Sequence, residues 1–166
     1  RKAGCIGSAM RGCAVRVVKG AGRPAAPGDT GEIEFSGRSM ALGYFRNPEA
    51  SAQTFVDGWV RTGDIGRFDD EGHLHFVDRK KDIINPGGLK IASAAVEEVL
   101  YRFPGVAEAA VVAVPHPGLG EDIAACVVAA AGVILEPEAL RSHCALHLAD
   151  YQVPRQWHVL DALPKN

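Results

Sequence analysis

Apolar and polar residues alternate with period two over residues 14–19, with Val15 and Val17 on one side and Arg16 on the other. That is the pattern of a half-buried strand. Glu32, Ile33, Glu34 and Phe35 alternate again and predict the next strand. The stretch between them, GAGRPAAPGDTG at residues 20–31, is punctuated by Gly and Pro and predicts a loop. Residues 48–55, PEASAQTF, suit a short helix with Pro48 in its first turn. Trp59, Val60 and Arg61 predict a short strand leading into a tight turn at Thr62, Gly63 and Asp64. Residues 66–68 and 73–77 flank the acidic turn Asp69, Asp70, Glu71, Gly72 and predict a hairpin.

The pattern then changes. Asp78, Arg79, Lys80, Lys81 and Asp82 are consecutive charges between a β-rich half and a mixed half, so the boundary between two domains, residues 1–80 and 81–166, is placed there. Ser93 can cap a helix whose apolar face is Val96, Val99, Leu100 and Phe103, spaced i, i+3, i+4, i+7. Pro104 and Gly105 end it. Residues 108–114 and 123–130 are apolar, β-branched runs that predict strands, joined by the turn PHPGLGED at 115–122. Residues 137–147 predict a second helix with Pro137 at its first position, and 156–160 a last short strand. The fold class this implies is α+β.

Composition narrows the function classes. Lys and Arg number 18 against 20 Asp and Glu, a net charge of −2, which gives no electrostatic case for nucleic acid. No apolar run approaches the roughly 20 residues that span a bilayer, and no secretory signal is visible at the start. Four cysteines, Cys5, Cys13, Cys126 and Cys144, form no CxxC pair and read as reduced thiols of a cytoplasmic protein; a Cys5–Cys13 disulfide stays open. The chain begins at Arg1 without methionine, which suggests a fragment of a longer protein or a processed product.

Residues 31–100 resemble the adenylate-forming superfamily of acyl-CoA synthetases, luciferases and peptide-synthetase adenylation domains. GEIEFSGRSMALGYFRNPEASAQTF at 31–55 is similar to one family segment. DGWVRTGDIGRFDDEGHLHFVDRKKDIINPGGLKI at 57–91 is similar to the TGD and GR-K-D-x-I segments, in the same order and spacing. VEEVL at 96–100, VPHPGLGED at 114–122 and LPKN at 163–166 match later positions. The closest correspondence is with the C-terminal part of an AMP-forming acyl-CoA synthetase. The resemblance implies a β-rich end of the large adenylating domain followed by a small, mobile, mixed α/β domain.

The resemblance also implies site roles. Asp64 matches the ribose-binding aspartate; a carboxylate can accept two hydrogen bonds from a vicinal diol. By residue chemistry alone Asp64 reads rather as the cap of a turn, and the resemblance reverses that reading. Arg79 matches an arginine near the ribose and phosphate, a role that suits a planar, permanently charged fork. Its other reading is a solvated surface charge. Lys81 matches the hinge position, where large changes in φ and ψ are absorbed. Gly88 and Lys90, in the glycine-rich stretch Asn85, Pro86, Gly87, Gly88, Leu89, Lys90, match the loop that turns towards CoA. Without the resemblance this stretch reads as a plain turn.

The implied reaction uses ATP, Mg²⁺, CoA and a small-molecule carboxylate, in the setting of fatty acid metabolism. The catalytic lysine of the family follows the LPKN motif beyond Asn166, so Lys165 is not that residue. The phosphate loop and acyl pocket belong to the upstream part, so no catalytic residue is assigned here and the stretch alone is expected to be inactive. A carrier-protein thiol as acceptor and a non-catalytic interaction module are the alternatives. Apolar surface exposed by the first part makes a homodimer an expectation. His143 and His147 have i, i+4 spacing but lack the HExxH glutamate, and they read as structural, as do His73 and His75.

Overall fold

The computed structural model describes residues 4–165; residues 1–3 and Asn166, the last residue of the LPKN motif, lie outside them. The architecture is α+β and divides into two compact units, Arg1–Lys81 and Asp82–Asn166.

The first unit is an antiparallel sheet. Its strands are β1 (Cys5–Gly7), β2 (Cys13–Lys19), β3 (Arg23–Pro24), β4 (Gly31–Gly37), β5 (Phe55–Val56), β6 (Trp59–Phe68) and β7 (Leu74–Arg79), in the order β1-β7-β6-β4-β2-β3, with β5 on β6. Helix α1 (Pro48–Thr54) precedes β5, and the Asn47 side chain caps it by accepting the Ala50 N–H at 3.0 Å. The alternation in β2 and β4 splits the sheet cleanly. Val17, Ile33 and Leu74 form a small core on one face, with Val15 and Phe68 against it. On the other face Arg16, Glu34 and Arg61 lie side by side across three strands. Arg16 donates twice to the buried Glu34 carboxylate, at 2.6 and 2.8 Å, and its guanidinium stacks 4.0 Å from the Trp59 ring centre. Cys5 and Cys13 stand on strands that are not neighbours, and both are free thiols.

The second unit has a two-stranded ribbon, β8 (Ile83–Ile84) and β9 (Ile91–Ala92), and a three-stranded sheet. That sheet comprises β10 (Val106–His116), β11 (Gly120–Ala129) and β12 (Gln156–Leu160), with β12 parallel to β11. Helices α2 (Ser93–Tyr101) and α3 (Pro137–His147) supply Val96, Val99, Leu100, Leu140 and Cys144 to one core with Val111, Ile123, Ala125 and Val127 of the sheet. The period-3.6 face of α2 is thus the face that is buried.

Three local expectations need correcting. The stretch at 20–31 is not wholly irregular, because Arg23–Pro24 pairs with β2. Ser93 is the first residue of α2 and is buried, and the cap position belongs to Ala92. Thr62, Gly63 and Asp64 do not end a strand: β6 runs through them to Phe68.

Candidate nucleotide-binding site

The continuation of β6 through Thr62–Gly63–Asp64 depends on a bulge. Arg61 stands opposite Glu34 and Ile65 opposite Glu32, so three residues of β6 face the single Ile33 of β4. Gly63 adopts φ +75°, a left-handed conformation open to glycine at little cost. The bulge removes a regular ladder partner from the Ile33 carbonyl. Thr62 replaces it: its hydroxyl donates to the Ile33 carbonyl at 2.8 Å and accepts the Asp64 N–H at 3.0 Å. Sequence reasoning missed this residue. The signal was a hydroxyl two positions before an aspartate, the spacing at which a Thr side chain reaches a nearby backbone N–H.

Beyond the bulge, Asp64 pairs with Arg79 across β6 and β7, so the two side chains rise from the same face. They line a cavity of about 530 Å³ together with Thr62, Gly63, Lys80 and Lys81. Lys80 is fixed by Glu32, with its ammonium 2.8 Å from the carboxylate. Among the described residues, neither Arg79 nor Lys81 forms an ion pair, and the Asp64 carboxylate accepts no hydrogen bond. The cavity therefore presents one free acceptor beside two free cations, suited to a polar ligand bearing both donors and negative charge. The charge run at 78–82 is not uniformly solvated: Asp78 is buried and accepts the Arg79 N–H at 2.8 Å.

Asp64, Arg79 and Lys81 thus meet around one cavity. Gly88 and Lys90 lie in the second unit, exposed, on the loop between β8 and β9. His143 Nε2 bonds the Val99 carbonyl at 3.0 Å, which ties α3 to α2, and His147 Nδ1 bonds the His143 carbonyl within α3 at 2.9 Å. Among the described residues, no group of three or more His, Cys, Asp or Glu is placed to hold a metal ion. Nor is any helix long and apolar enough to cross a membrane.

Comparison with known proteins shows which family the chain resembles. Residues 95–166 match the AMP-binding enzyme C-terminal domain family. Sulfoacetate–CoA ligase of Cupriavidus necator is 39% identical over 99% of this chain and 32% of its own length. The chain belongs to the AMP-binding, adenylate-forming ligase family. Within that family, o-succinylbenzoate CoA synthetase (MenE) of Bacillus subtilis, solved in complex with its acyl-adenylate intermediate, superposes with a TM-score of 0.92 at 34% identity. That match covers 99% of this chain and 34% of the MenE chain. The amide bond synthetase McbA of Marinactinospora thermotolerans superposes with a TM-score of 0.88 at 39% identity, over 97% of this chain and 33% of its own. The chain spans about a third of the length of these AMP-binding relatives.

Proposed function

We propose that the full-length protein activates a small-molecule carboxylic acid with ATP and transfers the acyl group to the thiol of CoA. The observation that carries this reading is the cavity in which the Asp64 carboxylate, without a hydrogen-bond donor among the described residues, stands beside Arg79 in a chain of the AMP-binding family. In the first step a carboxylate oxygen attacks the α-phosphorus of ATP and pyrophosphate leaves, forming acyl-AMP. In the second the CoA thiol, losing its proton, attacks the acyl carbonyl and AMP leaves.

The residues of this chain divide the work by chemistry. Asp64 accepts hydrogen bonds from the two ribose hydroxyls. The guanidinium of Arg79, always charged, bridges the ribose and the phosphate. Lys81 is the hinge about which the second unit turns between the two steps, bringing the loop that carries Gly88 and Lys90 to the CoA side. Mg²⁺ accompanies the ATP phosphates and offsets their charge, and no described residue of this chain is assigned to it. The sulfoacetate and o-succinylbenzoate named for the relatives are not simple fatty acids, so the acyl group of this protein is proposed as a carboxylate without restriction to fatty acid metabolism. The reading includes a cytoplasmic location.

The acceptor has a second reading. An amide bond synthetase is as similar to this chain as a CoA ligase, at 39% identity each, so an amine acceptor stands beside a carrier-protein thiol as the alternative. Pyrophosphate release from ATP by the full-length protein, over a panel of carboxylates with and without CoA, tests the proposal. Carboxylate-dependent release with acyl-CoA formed when CoA is present is the expected result. Release with no CoA product moves the acceptor to an amine or a carrier thiol. No release with any carboxylate from folded protein rejects the enzyme reading.

A further inference from the structure

The glycine-rich loop between β8 and β9 is tethered at two points, to the turn between β10 and β11 and to the start of β11. Asn85 donates its backbone N–H to Glu121 Oε2 at 2.7 Å, and Gly87 donates its N–H to the Leu119 carbonyl at 2.9 Å. Gly87 adopts φ +60°, and a Cβ there would lie 3.2 Å from Leu119 Cδ2, so loop and turn are also in close contact. The turn is ordered by His116, whose Nδ1 accepts the N–H groups of Gly118 and Leu119 at 3.2 and 3.1 Å. Past the tethers, Gly88 and Lys90 are exposed.

Of the two tethers only the Asn85–Glu121 bond depends on a side chain, and it is charge-assisted, which places it among the stronger hydrogen bonds. Its loss leaves the first residue of the loop without its partner and lets Gly88 and Lys90 drift. We propose that Glu121 is a positioning residue for acyl transfer: it fixes the loop that meets the acceptor and has no part in forming the adenylate. This rests on the reading above, in which that loop serves the second step. A displacement of about 1 Å at a positioning group costs up to about a hundredfold in rate, so the two half-reactions should respond differently.

The test is made on the full-length protein with Glu121→Ala and Glu121→Gln, the second retaining an amide oxygen as acceptor. Adenylate formation is read as pyrophosphate release in a single turnover without CoA, and transfer as acyl-CoA formed. In Glu121→Ala, adenylate formation should stay within about twofold of wild type, while transfer falls about tenfold or more with a raised KM for CoA. Glu121→Gln should lie between. Equal loss in both half-reactions, or no loss in either, overturns the proposal while leaving the ligase reading intact. A wild type that makes adenylate but no acyl-CoA overturns the acceptor reading and this proposal together.

Discussion

Thr62 and Asp64 are joined by a single hydrogen bond, the Asp64 N–H to Thr62 Oγ1 at 3.0 Å, while the same hydroxyl holds the Ile33 carbonyl of the neighbouring strand at 2.8 Å. The backbone at Asp64 is therefore tied to β4 through Thr62. Thr62→Val keeps the shape and leaves both backbone groups without this partner, at about 1 kcal/mol or more for each that stays dry. The KM for ATP of the full-length protein should rise about fivefold to tenfold, and Thr62→Ser, which keeps the oxygen, should restore most of it. Steady-state kinetics with ATP as the varied substrate checks this.

The row Arg16–Glu34–Arg61 holds three strands on the face opposite the small core. Glu34 is buried, and its removal would leave two guanidinium groups facing each other without a counter-charge. Glu34→Ala should destabilise the protein by about 2 kcal/mol, less than a fully buried pair because both arginines are partly exposed to solvent. The fall should be visible as a lower midpoint in urea unfolding. Glu34→Gln, which keeps a hydrogen-bond acceptor, should cost less.

Leu140 is wholly buried in the core that α3 shares with α2 and the three-stranded sheet. Leu140→Ala should cost about 2–5 kcal/mol by lost burial and the cavity left behind. Its exposed neighbour on the same helix, Leu146, offers the control. Leu146→Ala should change the unfolding midpoint little.

The four thiols should separate by reactivity. Cys144 is wholly buried, and burial pushes its thiol up from about 9 to about 11. Since the thiolate is the reactive form, Cys144 should resist a disulfide reagent at pH 8 for as long as the fold holds. Cys5, Cys13 and Cys126 are partly exposed and should react faster. Denaturant should release the fourth thiol. A slow Cys144 that turns fast only above pH 11 in folded protein would fit the same cause.

Much of this was legible in the sequence where one physical rule dominated. Strict alternation around Val15, Val17 and Arg16 gave a strand because one face is buried and the other carries charge. The i, i+3, i+4 spacing of Val96, Val99 and Leu100 gave α2, and Pro137 marked the start of α3. Asp64, Arg79 and Lys81 were picked out by resemblance, since nothing in their local chemistry separates them from a turn cap and two surface cations. What stayed hidden depends on partners far along the chain. The bulge at Thr62 needs Ile33 on another strand, Lys80 is fixed by Glu32, and Asn85 is held by Glu121. Asp78 sits inside a run of charges, yet it is buried. Short-range pattern has no access to such contacts.

The most direct test of the site is the ribose itself. If Asp64 holds the two hydroxyls, wild-type full-length protein should prefer ATP over its 2′,3′-dideoxy analogue by about tenfold to a hundredfold in kcat/KM, the worth of hydrogen bonds to a charged acceptor. In Asp64→Ala that ratio should fall close to one, with the loss carried by ATP and the analogue little changed. A ratio that stays as large in Asp64→Ala as in wild type would contradict the assignment and place the ribose elsewhere.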